Sequence, residues 1–328
     1  MATPTASAAT PNRANPTDST DLESTDGPPR GRARWWSNPP RPQTLRALAL
    51  GSLVANLAIV ATGGLVRLTD SGLGCPSWPD CSGGSLVPTR QLSWHKGVEF
   101  GNRLLTYVVL AAVVAVFIAA IRTRPARPDL RRWAWVTLLG VPAQAVLGGI
   151  TVLTDLNPWA VAAHFMLSMS IVGAATVLWW LSREPDRPAP AIPRPLRQLG
   201  IGAWLLTYLV LAVGTVVTGS GPHAGDAKAH RTGLRPDAVS HLHADLVMLL
   251  VGLAVALAVA VTATGAPSVV RRSTRLLVGA LAFQAAVGFA QYFSRLPVGL
   301  VELHVAGAAC IAAAATLVVL SMHPSSRG

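Results

Sequence analysis

The stretch QAVLGGITVLTDLNPWAVAAH, from Gln144 to His164, returns later in the chain as QAAVGFAQYFSRLPVGLVELH, from Gln284 to His304. Each copy begins with Gln in an apolar run and places Gly four residues on (Gly148, Gly288). It then breaks at a turn containing Pro (Pro158, Pro297) and sets one His early in the next apolar run. The Gln-to-His interval is the same in both. Self-similarity at a separation of about 140 residues marks a duplicated bundle, and a polar residue carried twice at membrane depth is the first place to look for chemistry.

Composition agrees with this. Apolar residues make up 51% of the chain and charged residues only 13%, and mean hydropathy is positive, the profile of a polytopic membrane protein. The net charge of +12 comes from Lys and Arg in short segments between apolar runs. That is a topology signal, so no nucleic-acid partner is expected. Residues 1–43, rich in Pro, Thr, Ser, Asp and Arg, are expected to form a disordered tail. No short apolar run with a cleavage site precedes the first long one, so that run is expected to remain as an anchor.

Eight runs are long enough for the roughly 20 residues of a spanning helix. They lie near 45–66, 98–121, 133–154, 159–181, 199–219, 239–263, 275–294 and 298–321. The expected fold is an all-α membrane protein of eight transmembrane helices, arranged as two parallel-repeat four-helix bundles. These occupy 44–182 and 199–322, with a cytoplasmic linker at 183–198 and a short tail at 323–328. The Arg-dense segments at 122–132, 182–197 and 271–275, together with the N-terminal tail, belong on the cytoplasmic side of the cell membrane. Both termini are then cytoplasmic, and the 67–97 and 220–238 loops lie outside. Each half holds an even number of helices, so the halves enter the bilayer in the same direction.

On that outer side, GLGCPSWPDC carries Cys75 and Cys81. A disulfide is the expected state there, with a pair of free or redox-active thiols as the competing one. Cys310, inside the last run, reads as a small buried side chain.

Ionisable side chains within membrane helices are costly and usually functional. Helix 2 opens WHKGVEFGNR, with His95, Glu99 and Asn102 on one face. Helix 4 carries His164, helix 6 begins HLHAD with His241 and His243, and helix 8 carries His304. The separation from Asn102 to His164 nearly equals that from His243 to His304, so Asn102 and His243 occupy equivalent places. His241 and His243 point roughly 200° apart on a helix, and the register of the repeat selects His243 for a pocket. Two imidazoles facing across a bundle, without Cys, Asp or Glu beside them, suit a low-spin haem iron with two axial ligands. A zinc or iron-carboxylate site would need further ligands at that depth. Any one of these histidines could instead hydrogen-bond a neighbouring carbonyl.

The string GGLVRLTDSGLGCPSWPDC, followed by VEFGNR and AAHFMLSMS, closely resembles the bacterial, eight-helix type of haem A synthase. The resemblance covers essentially residues 45–321. It implies a haem b cofactor held between His243 and His304 in the C-terminal half. It implies haem O as substrate in the N-terminal half, where His164 and Glu99 match functional positions and Cys75 and Cys81 match the outer cysteine pair. The reaction implied is oxidation of a methyl group of haem O to a formyl group, by successive hydroxylations and loss of water from the geminal diol. Haem b would relay electrons to an acceptor that the sequence does not identify, and a haem O synthase would be the upstream partner.

One departure stands out. Relatives often carry ExxHR at the start of helix 2, whereas this chain has ExxNR with Asn102. The substrate iron is then expected to have His164 as its only strong protein ligand, with an open or weakly occupied opposite face; alternatively, Asn102 only hydrogen-bonds within the pocket. Glu99 is the candidate for proton transfer, weighed against a plain ion pair with Lys96 or Arg103. Arg67 and Arg103 could pair with haem propionates or snorkel as anchors. Two other functions are weighed. A dihaem b-type electron-transfer protein predicts complete imidazole pairs in both halves, and a parallel-repeat transporter predicts broken helices and no haem.

Overall fold

Proline decides where half of the helices begin. Its fixed φ and missing N–H suit the first turn, and it opens α1 (Pro42–Leu68), α3 (Pro128–Leu153), α4 (Pro158–Ser182) and α6 (Pro236–Ala263) and stands second, as Pro195, in α5 (Arg194–Ser220). The others are α2 (Trp94–Arg122), α7 (Ser268–Phe293) and α8 (Val298–Met322). The computed structural model describes residues 38–75, 77–79, 81, 94–183, 192–226 and 229–323. The expected tail at 1–43, apart from its last residues, lies outside that range, as do half of the expected linker and all but the first residue of the expected tail at 323–328.

Among the described residues there are eight helices and no strand, each helix long and apolar enough to cross a membrane. At 25–29 residues they exceed the roughly 20 that a bilayer core requires, and the chain is a multi-pass membrane protein. Several start earlier than their apolar runs: α3 at Pro128 rather than 133, α7 at Ser268 rather than 275, α2 at Trp94 rather than 98. Hydropathy marks only the part in hydrocarbon. The backbone ladder continues into the interface, where Arg131 and Arg271 fold back to donate to the carbonyls of Ile121 and Ala266.

The helices pack in a repeating order. In the first half α1 meets α2 and α4, and α3 meets α2 and α4. In the second half α5 meets α6 and α8, and α7 meets α6 and α8. The halves join where α8 packs on α1 and α4, and where α4 packs on α5. This seam is lined with small residues, Gly173 and Ala175 on α4 and Ala309, Ala312 and Ala313 on α8, which let backbones approach closely without a hydrophobic driving force. The Tyr208 hydroxyl on α5 donates to the Met169 carbonyl on α4 across it (3.1 Å), while Trp204 Nε1 donates to Thr316 Oγ1 (3.3 Å) within the second half. α4 and α8 are consequently the most buried helices.

The α3–α4 and α7–α8 turns use the same backbone. Asp155 and Leu156 have φ of 50° and 56°, Arg295 and Leu296 62° and 59°, a left-handed pair without glycine. Each turn is closed by an amide reaching back five residues, Leu156 N to Thr151 O and Leu296 N to Gln291 O, both 2.8 Å.

Cys310 corrects an expectation: it is exposed, not buried. On a membrane bundle, apolar residues cover the outer surface as readily as the core, as Leu249, Phe289 and Phe293 also do, so an apolar run does not say which of its residues face inward.

Candidate haem sites

The repeated Gln has a local task. Gln144 Nε2 on α3 donates to the backbone carbonyl of His164 on α4 (2.9 Å), and Gln284 Nε2 on α7 donates to that of His304 on α8 (2.7 Å). A carbonyl has two lone pairs and can accept this bond beside its helical one. The constant Gln-to-His interval is therefore the contour length that brings the amide over a turn to the histidine on the next helix.

The repeated Gly completes the arrangement. A Cβ at Gly148 would stand 3.0 Å from His164 Cε1, and one at Gly288 would stand 3.3 Å from His304 Cε1. The imidazole edge occupies the room that a side chain would need. Sequence reasoning missed a third such cradle, in which a Cβ at Gly214 on α5 would stand 3.1 Å from His243 Cε1. The signal was present in the alignment of VATGGLV (Val60 to Val66) on LAVGTVV (Leu211 to Val217). That register also matches the buried positions Leu45 with Leu196, Ser52 with Ala203 and Asn56 with Thr207. Gly63 then corresponds to Gly214, and a Cβ at Gly63 meets nothing within 4 Å.

The Nδ1 atoms of His164, His243 and His304 are buried and have no hydrogen-bond partner among the described residues. Buried polar atoms left in that state are unusual. Among the described residues no three His, Cys, Asp or Glu side chains gather as a metal cage. Imidazoles in glycine-backed slots fit a metal that arrives already held in a flat macrocycle and needs one or two axial ligands.

At the place equivalent to His243, Asn102 Oδ1 accepts from Thr62 Oγ1 on α1 (2.7 Å). One turn nearer the start of α2, Glu99 is buried at 5% exposure. Its carboxylate accepts from the Cys75 amide (2.7 Å) and from Arg103 Nη2 (2.5 Å). Arg103 also donates to the carbonyls of Ser77 and Cys75. The ion pair weighed against a proton-transfer role is thus formed, with Arg103 as the partner. Cys75 and Cys81 form a disulfide, and the loop they close is held on α2 by this pair. Trp78 in the loop fills the space beside Gly149 on α3.

The remaining candidates have other partners. His95 Nδ1 meets Ser71 Oγ at 3.2 Å. Arg67 Nε donates to the His223 carbonyl (2.8 Å), and His223 Nε2 in turn lies 3.0 Å from the Leu296 carbonyl, so the 220s loop ties α1 to the α7–α8 turn. His241 is exposed. Glu302 on α8 went unnoticed in the sequence. Its Oε2 is buried, has no hydrogen-bond partner among the described residues, and would lie 2.5 Å from a Cβ at Gly64.

Comparison with known proteins finds haem A synthases among the relatives. A haem A synthase of Lysinibacillus sphaericus is 32% identical over 178 residues, 53% of this chain and 57% of the relative. A haem A synthase of Geobacillus thermodenitrificans is 33% identical over 145 residues, 44% and 45% of the two chains. One of Symbiobacterium thermophilum is 32% identical over 186 residues, 53% and 59%. The chain thus spans about half the length of the curated relatives it matches. The family profile described as cytochrome oxidase assembly protein, COX15-CtaA, matches residues 46–316, and this chain, with its glycine-backed histidines and disulfide-closed loop, belongs to that family.

Proposed function

We propose that this protein is a haem A synthase, an oxidoreductase that converts a methyl group of haem O to a formyl group. One observation carries the reading: the second half has two imidazoles seated against glycines, while the first has one, with the hydrogen-bonded amide of Asn102 at the remaining register position. A protein that only passes electrons between two haems would be better served by two complete pairs, and a transporter built on broken helices is not supported by eight long ones.

In this reading the C-terminal half, 199–322, holds haem b through His243 and His304, and the N-terminal half, 44–182, holds substrate haem O through His164. Haem b supplies reversible one-electron chemistry when bound. Gln144 and Gln284 fix the helix backbone behind the ligating imidazole. Gly148, Gly214 and Gly288 admit the rings edge-on, which sets the plane in which each imidazole presents its nitrogen. The Glu99–Arg103 pair closes the disulfide loop over the outer end of the N-terminal pocket and excludes water there. A carboxylate in that position can also hand a proton between the pocket and the outside. Arg67 and Arg103, at the outer ends of α1 and α2, suit propionate groups. The protein lies in the cell membrane with both termini cytoplasmic and the disulfide loop outside. It receives haem O from a haem O synthase and passes electrons to an acceptor.

The test is extraction and chromatography of haems from cells lacking the protein, together with a visible spectrum of the purified protein. The expected result is loss of haem A with accumulation of haem O, and a low-spin bis-imidazole spectrum. Normal haem A content in the deletion strain refutes the assignment.

A further inference from the structure

Three glycines of the repeat lie against an imidazole and the fourth, Gly63, has open space. Beside it, Thr62 reaches from α1 to α2 and donates its hydroxyl to Asn102 Oδ1 at 2.7 Å. Thr62 Oγ1 also stands 3.3 Å from the Ile59 carbonyl, a longer contact within its own helix. A carboxamide carries its acceptor on one side and its two donor hydrogens on the other. With the oxygen held by Thr62, the Nδ2 hydrogens turn away from α1. Among the described residues no acceptor meets them, and Nδ2 is not sealed in the interior.

The geometry points to Thr62 as a positioning residue: it clamps the Asn102 oxygen so that the amide nitrogen is offered, as a hydrogen-bond donor, to the place an imidazole fills in the other half. The proposal rests on the reading that the N-terminal half takes a haem with His164 as its ligand. It adds that the opposite face of that iron is built to receive a small oxygen-bearing or anionic ligand, not a second imidazole. An imidazole would bring its own lone pair and need no donor. A ligand that accumulates negative charge on the atom facing away from the iron gains from one, and in a site with little water such a bond is stronger than in bulk. Thr62 supplies the orientation at little cost because a β-branched side chain on a helix is already restricted at χ1.

Fluoride is a suitable probe, since it binds ferric high-spin haem and responds to neighbouring donors. The purified ferric protein is loaded with haemin in both halves and titrated with fluoride in the visible region, with the low-spin signal of the His243–His304 pair as internal reference for folding. Wild type and T62S are expected to bind fluoride alike. T62V, T62A and N102L are expected to bind it about tenfold more weakly, the worth of one hydrogen bond, with the low-spin signal unchanged. N102D, which turns an acceptor toward the ligand, should abolish binding. If T62V and T62A both bind fluoride as wild type does, or if N102D binds it as well, the amide is not held in this orientation and the proposal is wrong. Complete absence of a fluoride-sensitive component in wild type, with the low-spin haem present, instead removes the underlying reading of the N-terminal pocket.

Discussion

Replacing each of the four register-equivalent glycines by alanine gives a graded series whose order the structure sets. A methyl at Gly148 would stand 3.0 Å from an imidazole carbon, at Gly214 3.1 Å, and at Gly288 3.3 Å, whereas at Gly63 it meets nothing within 4 Å. Carbon atoms prefer about 3.5–4.0 Å, so the first two rings must move by several tenths of an ångström and the third by less. Against this, alanine in a helix interior gains roughly 0.5–1 kcal/mol over glycine, while overpacking costs about 1–3 kcal/mol. G63A should therefore stabilise the protein by about 0.5–1 kcal/mol, G288A should lie near balance, and G148A and G214A should lose about 1–2 kcal/mol. Thermal unfolding in detergent resolves this at roughly 2–4 °C per kcal/mol. The visible spectrum reports separately on the His243–His304 pair: G214A should broaden or shift the low-spin bands more than G288A, because its ring is displaced further. Equal effects at all four positions, or G63A as the most damaging change, would show that the glycines are not there to admit imidazoles.

Four further outcomes follow from the same geometry. Q284L removes the amide bond to the His304 carbonyl, and should cost about 1 kcal/mol and alter the low-spin spectrum without abolishing it, as checked by unfolding and optical spectra. C75S, C81S and the double variant should behave alike in haem O conversion, since a disulfide is lost when either partner goes; strongly additive effects would argue for separate roles. E99Q should leave the C-terminal haem spectrum intact while reducing conversion of haem O, and because it leaves Arg103 without its charge partner, it should lower stability by about 3 kcal/mol, read by chromatography of haems and by unfolding. N102H should convert high-spin haem in the N-terminal half to low spin, since Gly63 leaves room for the ring, and electron paramagnetic resonance would register the change.

The amino-acid sequence by itself determined the eight spans, because a bilayer demands about 20 apolar residues for every crossing and this chain meets that demand eight times. It also determined the internal duplication, since Gln144, Gly148 and His164 recur in step as Gln284, Gly288 and His304. It marked Cys75 and Cys81 as the pair to bridge, and Asn102 as the residue standing where an imidazole would be. Tertiary structure alone decided what these residues touch. The glutamine bond to a histidine carbonyl joins two helices, and nothing in either helix announces it. The seating of the His243 ring against Gly214 and the bond from Thr62 to Asn102 likewise join different helices and are seen only in the folded bundle. Glu302 and Gly64 meet across the seam between the halves. Which face of each helix turns inward was also beyond the sequence, as Cys310 shows. In water, hydrophobicity separates core from surface, but in lipid both sides of a helix are apolar, and only packing against neighbours selects the buried face.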